Sequence, residues 1–170
     1  PPRAALRTTA RLRVPDGGAR GMSLHIESVG VGPPLVLLHG WGLHGGIFSP
    51  LLPALADRHR VHVIDLPGHG HSATIAPYTL DAVVDAVIDA VTYAVIDTVT
   101  DTVTDTRAPL DDPATPLALL GWSFGGVVAQ RIAARFPSRV SRLILVCTTP
   151  RFVAAADWPY GVAPRVLTQF

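Results

Sequence analysis

Four short apolar runs limit how this chain can fold. Leu35-Val36-Leu37-Leu38, Val61-His62-Val63-Ile64-Asp65, Leu117-Ala118-Leu119-Leu120 and Leu143-Ile144-Leu145-Val146 lack the regular apolar and polar alternation of a strand with one wet face. Each therefore reads as a strand covered on both sides. Helical stretches lie between them, Ile47 to Asp57 and Val127 to Phe136 among them. Strands alternating with helices of about ten residues argue for βαβ units, hence a parallel sheet with right-handed crossovers. Ser23 to Val29 is different: it does alternate, and the turn Gly30 to Pro34 follows, which predicts a first, antiparallel strand. The expected class is α/β, a mostly parallel, doubly wound sheet. With 170 residues and 48% apolar content the chain can bury one core.

Outside that rhythm stand two segments. Pro1 to Gly21 holds Pro, Gly, Ala and Arg with little apolar periodicity and reads as a disordered extension, so the core is expected over 22–150. It is either an Arg-rich leader or, the preferred reading, sequence upstream of a start at Met22. From Asp81 to Asp105, Asp recurs every fourth residue (81, 85, 89, then 97, 101, 105), with Tyr93 in its place once. A repeat of four drifts by roughly 40° per unit around a 3.6-residue helix, so the carboxylates spiral instead of forming one stripe. The Ala-rich part, Asp81 to Ala90, is expected to be helical and Thr98 to Thr106 to fray, as in a low-complexity expansion of a surface helix over 81–106. Neither the spacing nor a glycine turn matches a calcium loop.

Composition excludes several function classes. The net charge is +1 and all fourteen basic residues are Arg, which leaves no broad electrostatic footprint for nucleic acid. No apolar run reaches membrane-span length and the N-terminus lacks the apolar core of a secretory signal, so a cytoplasmic protein without membrane contact is expected. The single Cys147 allows no disulfide framework and, beside the last apolar run, reads as a buried strand thiol.

The chemistry centres on Gly121-Trp122-Ser123-Phe124-Gly125, between the run Leu117 to Leu120 and the helix that begins near Gly126. A strand-to-helix turn this tight needs small residues at 121 and 125, where side chains would collide with backbone, and it lifts Ser123 into the open as a nucleophile. The helix N-terminus supplies unpaired N–H groups and the positive end of a dipole. His39-Gly40-Trp41-Gly42, after the run Leu35 to Leu38, is placed to add a second donor. The N–H groups of Trp41 and Phe124 are expected to form an oxyanion hole, where loss of one donor costs about 10²–10³ in rate. In Asp65 to Ser72, the two His near Asp65, His69 and His71, fit hydrogen-bonded structural groups better than metal ligands, and no metal is expected. Trp41, Trp122 and Phe124 would wall Ser123 with apolar surface suited to an acyl chain; plain core packing is the alternative.

Together, Leu35 to Trp41, Val61 to Ser72 and Leu119 to Val128 resemble the α/β-hydrolase superfamily and imply its fold. Leu37-Leu38-His39-Gly40-Trp41-Gly42-Leu43, Asp65-Leu66-Pro67-Gly68 and Leu120-Gly121-Trp122-Ser123 are similar to the pimeloyl-acyl-carrier-protein methyl ester carboxylesterase family. Pro150 to Phe170, with Asp157-Trp158-Pro159, resembles that family's approach to its lid, so 151–170 would begin a lid. The resemblance covers Met22 to Phe170 and departs at the Asp repeat, which is longer than the family's usual helix. It implies a serine carboxylesterase that hydrolyses the methyl ester of pimeloyl-acyl-carrier protein in biotin synthesis through a serine acyl-enzyme, without a cofactor. Trp41, Trp122, Ser123 and Phe124 would contact the substrate, a carrier-linked or small acyl ester, in a protein that is a monomer when full length. Other esterases, lipases or lactonases share the motif around Ser123, and a non-catalytic remnant serving as a binding module is the alternative from another class.

In that fold the triad runs Ser, acid, His along the chain, so His39, ahead of the oxyanion loop, reads as structural. No His occurs after His71, and after Ser123 the sole carboxylate side chain is Asp157. Asp157 lies in the approach to the lid and not at a strand end. The acid and base are therefore expected beyond Phe170, in a chain truncated before the lid and last strands. Such a fragment would be inactive alone, with Leu143 to Val146 left as an open apolar sheet edge.

Overall fold

In the computed structural model, which describes residues 7–13, 23–96 and 116–167, Arg7–Arg13 (β1) and Ser23–Val29 (β2) form an antiparallel pair. The four apolar runs become β3 (Pro34–Leu38), β4 (Arg60–Ile64), β5 (Leu117–Trp122) and β6 (Val140–Val146). The strands lie in the order β1-β2-β4-β3-β5-β6. β2 meets β4 antiparallel, and the four apolar strands are parallel to one another.

β1 corrects the expectation that residues 1–21 lie outside the fold. Arg7 pairs with Val29 and Arg13 with Ser23, in full register. An exposed strand edge offers a row of unpaired N–H and C=O groups to any extended segment nearby. Arg7–Arg13 is seven residues free of Pro and Gly inside a stretch otherwise rich in both, and averaging over the whole stretch concealed it.

The chain leaves β3 toward β4 on one side and later enters β5 on the other. Connections of one hand then put their helices on opposite faces. Accordingly, α1 (Leu52–Ala56) and the 3₁₀ turn Gly45–Phe48 cover one face, while α2 (Leu80–Ile96) and α3 (Phe124–Arg135) cover the other. The strand period of two divides β3 between them: Leu35 and Leu37 join the first layer, Val36 and Leu38 the second, all buried. The helix expected over Ile47 to Asp57 is broken, because Pro50 has no N–H to continue the ladder. It restarts with Pro53 in the first turn of α1, where a missing N–H costs little.

α2 carries the first part of the Asp repeat, and the spiral is visible along it: Asp81 and Asp85 are exposed and Asp89 is half-buried. Arg131 and Arg135 of α3, also four apart, meet Asp81 and Asp85 at 3.0 and 2.8 Å. Exposed pairs of this kind contribute about 1 kcal/mol or less. The expectation of a surface helix needs correction here, because Val83, Val84, Val87 and Ala90 are wholly buried and α2 forms part of the core. Residues 97–106 of the repeat lie outside the described residues.

β6 is the sheet edge, with Leu143, Ile144, Leu145 and Val146 all exposed, as expected. For the same reason Cys147 is not the buried thiol expected: the strand ends at Val146, and Cys147 follows it, exposed, with φ 47°. No helix among the described residues is long and apolar enough to cross a membrane.

His62 on β4 is 1% exposed and sits opposite Ser28 of β2, whose Oγ lies 2.8 Å from its Nδ1. Burial first, and the Arg60 charge second, lower its pKa from 6.5 to about 4. The folded ring stays neutral where the unfolded one takes up a proton, so stability is full above pH 6.5 and falls as pH drops toward about 4. The loss expected is on the order of 3 kcal/mol. Urea unfolding across that window should fall more steeply in the wild type than in His62→Gln; equal slopes would assign the dependence to other groups.

Candidate active site

β3 has β4 on one side and β5 on the other, so the loops leaving the carboxyl ends of β3 and β5 diverge across a crevice, the position where open α/β sheets bind ligands. The chain places His39 to Gly42 at one of these ends and Ser123 at the other. They touch: a Cβ on Gly40 would lie 3.2 Å from the Ser123 Cβ and 3.6 Å from the Trp122 carbonyl oxygen.

Ser123 stands between β5 and α3 with φ 53° and ψ −117°, a left-handed φ that L residues adopt only under constraint. The constraints are visible. Its N–H donates to the Val146 carbonyl (2.9 Å), and its own carbonyl accepts from the Gly126 N–H (2.9 Å) and the Thr148 hydroxyl (2.7 Å). The two flanking glycines are required, as the sequence argument held. A Cβ at 121 would strike the Gly125 carbonyl and the Gly126 Cα, and one at 125 would strike the Leu38 and His39 carbonyls. Thr148 was missed in sequence because only the end of β6, distant in the chain, brings it here.

Trp41 and Phe124 come together, with ring centroids 5.5 Å apart and edge to face. Trp41 also meets His69 at 5.1 Å and Tyr78 at 5.7 Å. Trp41, Leu43, His69 and Tyr78 line an open depression of about 440 Å³. The His69 Nδ1 and the Tyr78 hydroxyl both bond the Pro67 carbonyl, at 2.8 and 3.1 Å, which holds this wall in place. Neither residue was expected in the site: His69 looked structural, and Tyr78 belongs to no motif. Trp122 is separated from this group. It is half-buried and packs against the layer that holds Phe48 and Leu52, on the opposite face of the sheet.

His39 is fully buried, with both ring nitrogens engaged. Nε2 accepts from the Leu66 N–H at 2.9 Å, so the proton resides on Nδ1, which donates to the Gly40 carbonyl at 2.8 Å. Burial lowers its pKa against the opposing pull of that bond, and the neutral, doubly tied ring joins the His39 to Gly42 segment to the start of the loop after β4. Asp65 anchors the neighbouring loop through the N–H groups of Gly45 (2.7 Å) and His71 (2.9 Å). Burial pushes its carboxyl up, but these amides, with His25 and His39 nearby, hold it below the ordinary value. Asp157 is exposed and paired with Arg151 at 3.1 Å.

A family profile described as the alpha/beta hydrolase fold matches residues 33–170. The chain is 44% identical over 149 residues to the pimeloyl-[acyl-carrier protein] methyl ester esterase of Methylococcus capsulatus, covering 88% of the chain and 50% of that protein. It is 42% identical over 142 residues to the protein of the same name from Chromobacterium violaceum, covering 84% and 47%. Among solved structures, an esterase from Exiguobacterium antarcticum superposes with a TM-score of 0.70 at 26% identity, over 88% of this chain and 50% of its own. A bromoperoxidase from Bacillus anthracis shares the fold at a TM-score of 0.74 and 21% identity, over 96% and 53%. The chain spans about half the length of the curated relatives it matches.

Proposed function

Since the chain belongs to the α/β-hydrolase family, we propose that Ser123 is the nucleophile of a carboxylic ester hydrolase acting on the methyl ester of a pimeloyl chain carried by acyl-carrier protein. The observation that carries this reading is the constrained backbone of Ser123, held between β5 and α3 with Gly40 of the oxyanion loop against it. The Ser123 Oγ adds to the ester carbonyl, and the N–H groups of Trp41 and Phe124 receive the charge that develops on the carbonyl oxygen. Collapse of that intermediate breaks the bond to methoxide, which leaves as methanol once protonated. Water then cleaves the acyl-serine and regenerates the hydroxyl.

The names of the relatives support the choice of substrate, and the aromatic depression formed by Trp41, His69 and Tyr78 beside Phe124 offers apolar surface for the acyl chain. Trp122 flanks the nucleophile from the other face. A carrier-linked substrate implies a cytoplasmic reaction, and residues 151–170 are assigned as the start of a lid. The acid and base are assigned to the part of the relatives' length that this chain does not span.

The test is hydrolysis of the methyl ester on pimeloyl-carrier protein, followed by mass, with the 170-residue chain and with a version extended to the length of its relatives. The extended protein should convert the substrate and the shorter chain should not. Hydrolysis by the 170-residue chain alone at a rate that Ser123→Ala abolishes would refute the assignment of acid and base, and an extended enzyme active only on other esters would refute the substrate.

A further inference from the structure

The fold gathers three metal-ligating side chains from separate places in the chain. His25 comes from β2, Asp65 directly follows β4, and His71 lies in the loop beyond it. The Asp65 N–H donates to the His25 carbonyl at 3.0 Å, extending the β2–β4 pairing by one residue. The Ser72 Oγ then ties both, accepting from the His25 N–H (2.9 Å) and donating to the Asp65 carbonyl (2.5 Å). One ligand atom from each of the three residues lies within 4.8 Å of the others.

An ordinary ion pair does not account for this arrangement. The His71 Nδ1 lies 3.4 Å from the Asp65 Oδ2, long for a hydrogen bond but close to the spacing of two ligands bound to a tetrahedral ion at about 2.0–2.2 Å. The His25 Nδ1 is buried and has no hydrogen-bond partner, a costly condition for a polar atom that can accept one. Asp65 is 5% exposed on its side chain, and each carboxylate oxygen receives a backbone N–H while keeping a lone pair free. His71 is 66% exposed, which opens a path for an ion and lets its ring adjust.

We propose that His25, Asp65 and His71 bind one divalent transition-metal ion of the zinc type, with water completing the coordination. Two imidazoles and one carboxylate suit zinc or cobalt, whereas calcium and magnesium take oxygen ligands. The ion would clip β2 to the loop after β4. The linear sequence set only loop histidines beside Asp65 and suggested no metal; His25 arrives through strand pairing.

Co²⁺ alone is the probe, titrated into the 170-residue chain carrying Cys147→Ser, with Zn²⁺ as competitor. One saturable site per chain is expected, with the visible absorption of tetrahedral cobalt, lost on adding Zn²⁺. His71→Ala and His25→Gln should each weaken binding by at least about tenfold. Zn²⁺ should raise the unfolding temperature of the parent chain and leave that of His71→Ala unchanged. Because His71 is exposed, its loss separates a missing ligand from a damaged fold. Absence of saturable binding, or binding that survives either substitution, would overturn the proposal. Ser123→Ala should bind cobalt like its parent, so the metal site and the esterase reading can fail separately.

Discussion

Ser123→Ala is expected to abolish fluorophosphonate labelling and ester hydrolysis in the protein extended to the length of its relatives. The loss of turnover should be roughly 10⁶-fold, the scale on which serine hydrolases depend on their nucleophile. Stability should change little, within about 0.5 kcal/mol, because Ala keeps the backbone and removes only the hydroxyl. Ser123→Gly is the informative companion. It also removes the nucleophile, but φ 53° costs an L residue about 1–3 kcal/mol, while glycine adds roughly 1 kcal/mol of unfolded-chain entropy. The glycine variant should therefore unfold later than the alanine variant in urea, by up to about 2 kcal/mol. Labelling that persists in Ser123→Ala would sink the assignment of the nucleophile. A glycine variant less stable than the alanine one would mean that the backbone at 123 stores no strain.

Gly125→Ala should be the most damaging single methyl group in this region. The added Cβ meets the carbonyls of Leu38 and His39, which belong to the end of β3 and cannot swing aside as a side chain would. Inserting volume into such a contact costs about 3 kcal/mol or more, and relief would require α3 to move away from β3, taking Ser123 from Gly40. Stability and labelling should therefore fall together. Gly42→Ala serves as the control: its φ is 72°, but nothing lies within 4 Å of the added Cβ, so only the backbone cost of about 1–2 kcal/mol is expected. If urea midpoints place the two variants together, conformational freedom rather than close approach explains the glycine at 125.

How much of this was legible in sequence follows from the range over which each signal acts. The four apolar strands and the Gly121 to Gly125 turn could be read because each depends on neighbours a few residues away: an unbroken apolar run, a missing Cβ. The same local reading failed where composition was averaged, as over Arg7–Arg13, or where exposure depends on place in the sheet, as for Cys147 after the edge strand β6. Asp81 and Asp85 faced solvent as the repeat predicted, yet α2 became core because α3 and the sheet close over its other sides.

By itself, the sequence determined the α/β class and the small residues that let the chain turn around Ser123, since steric exclusion and hydrophobic pattern act along the chain. Only the tertiary structure decided which side chains share the site. Thr148 against the Ser123 carbonyl, Tyr78 and His69 beside Trp41, Trp122 on the far face and His25 opposite Asp65 all follow from strand order and register. Those are set by hydrogen bonding and packing between segments far apart in the chain, and no local pattern encodes them.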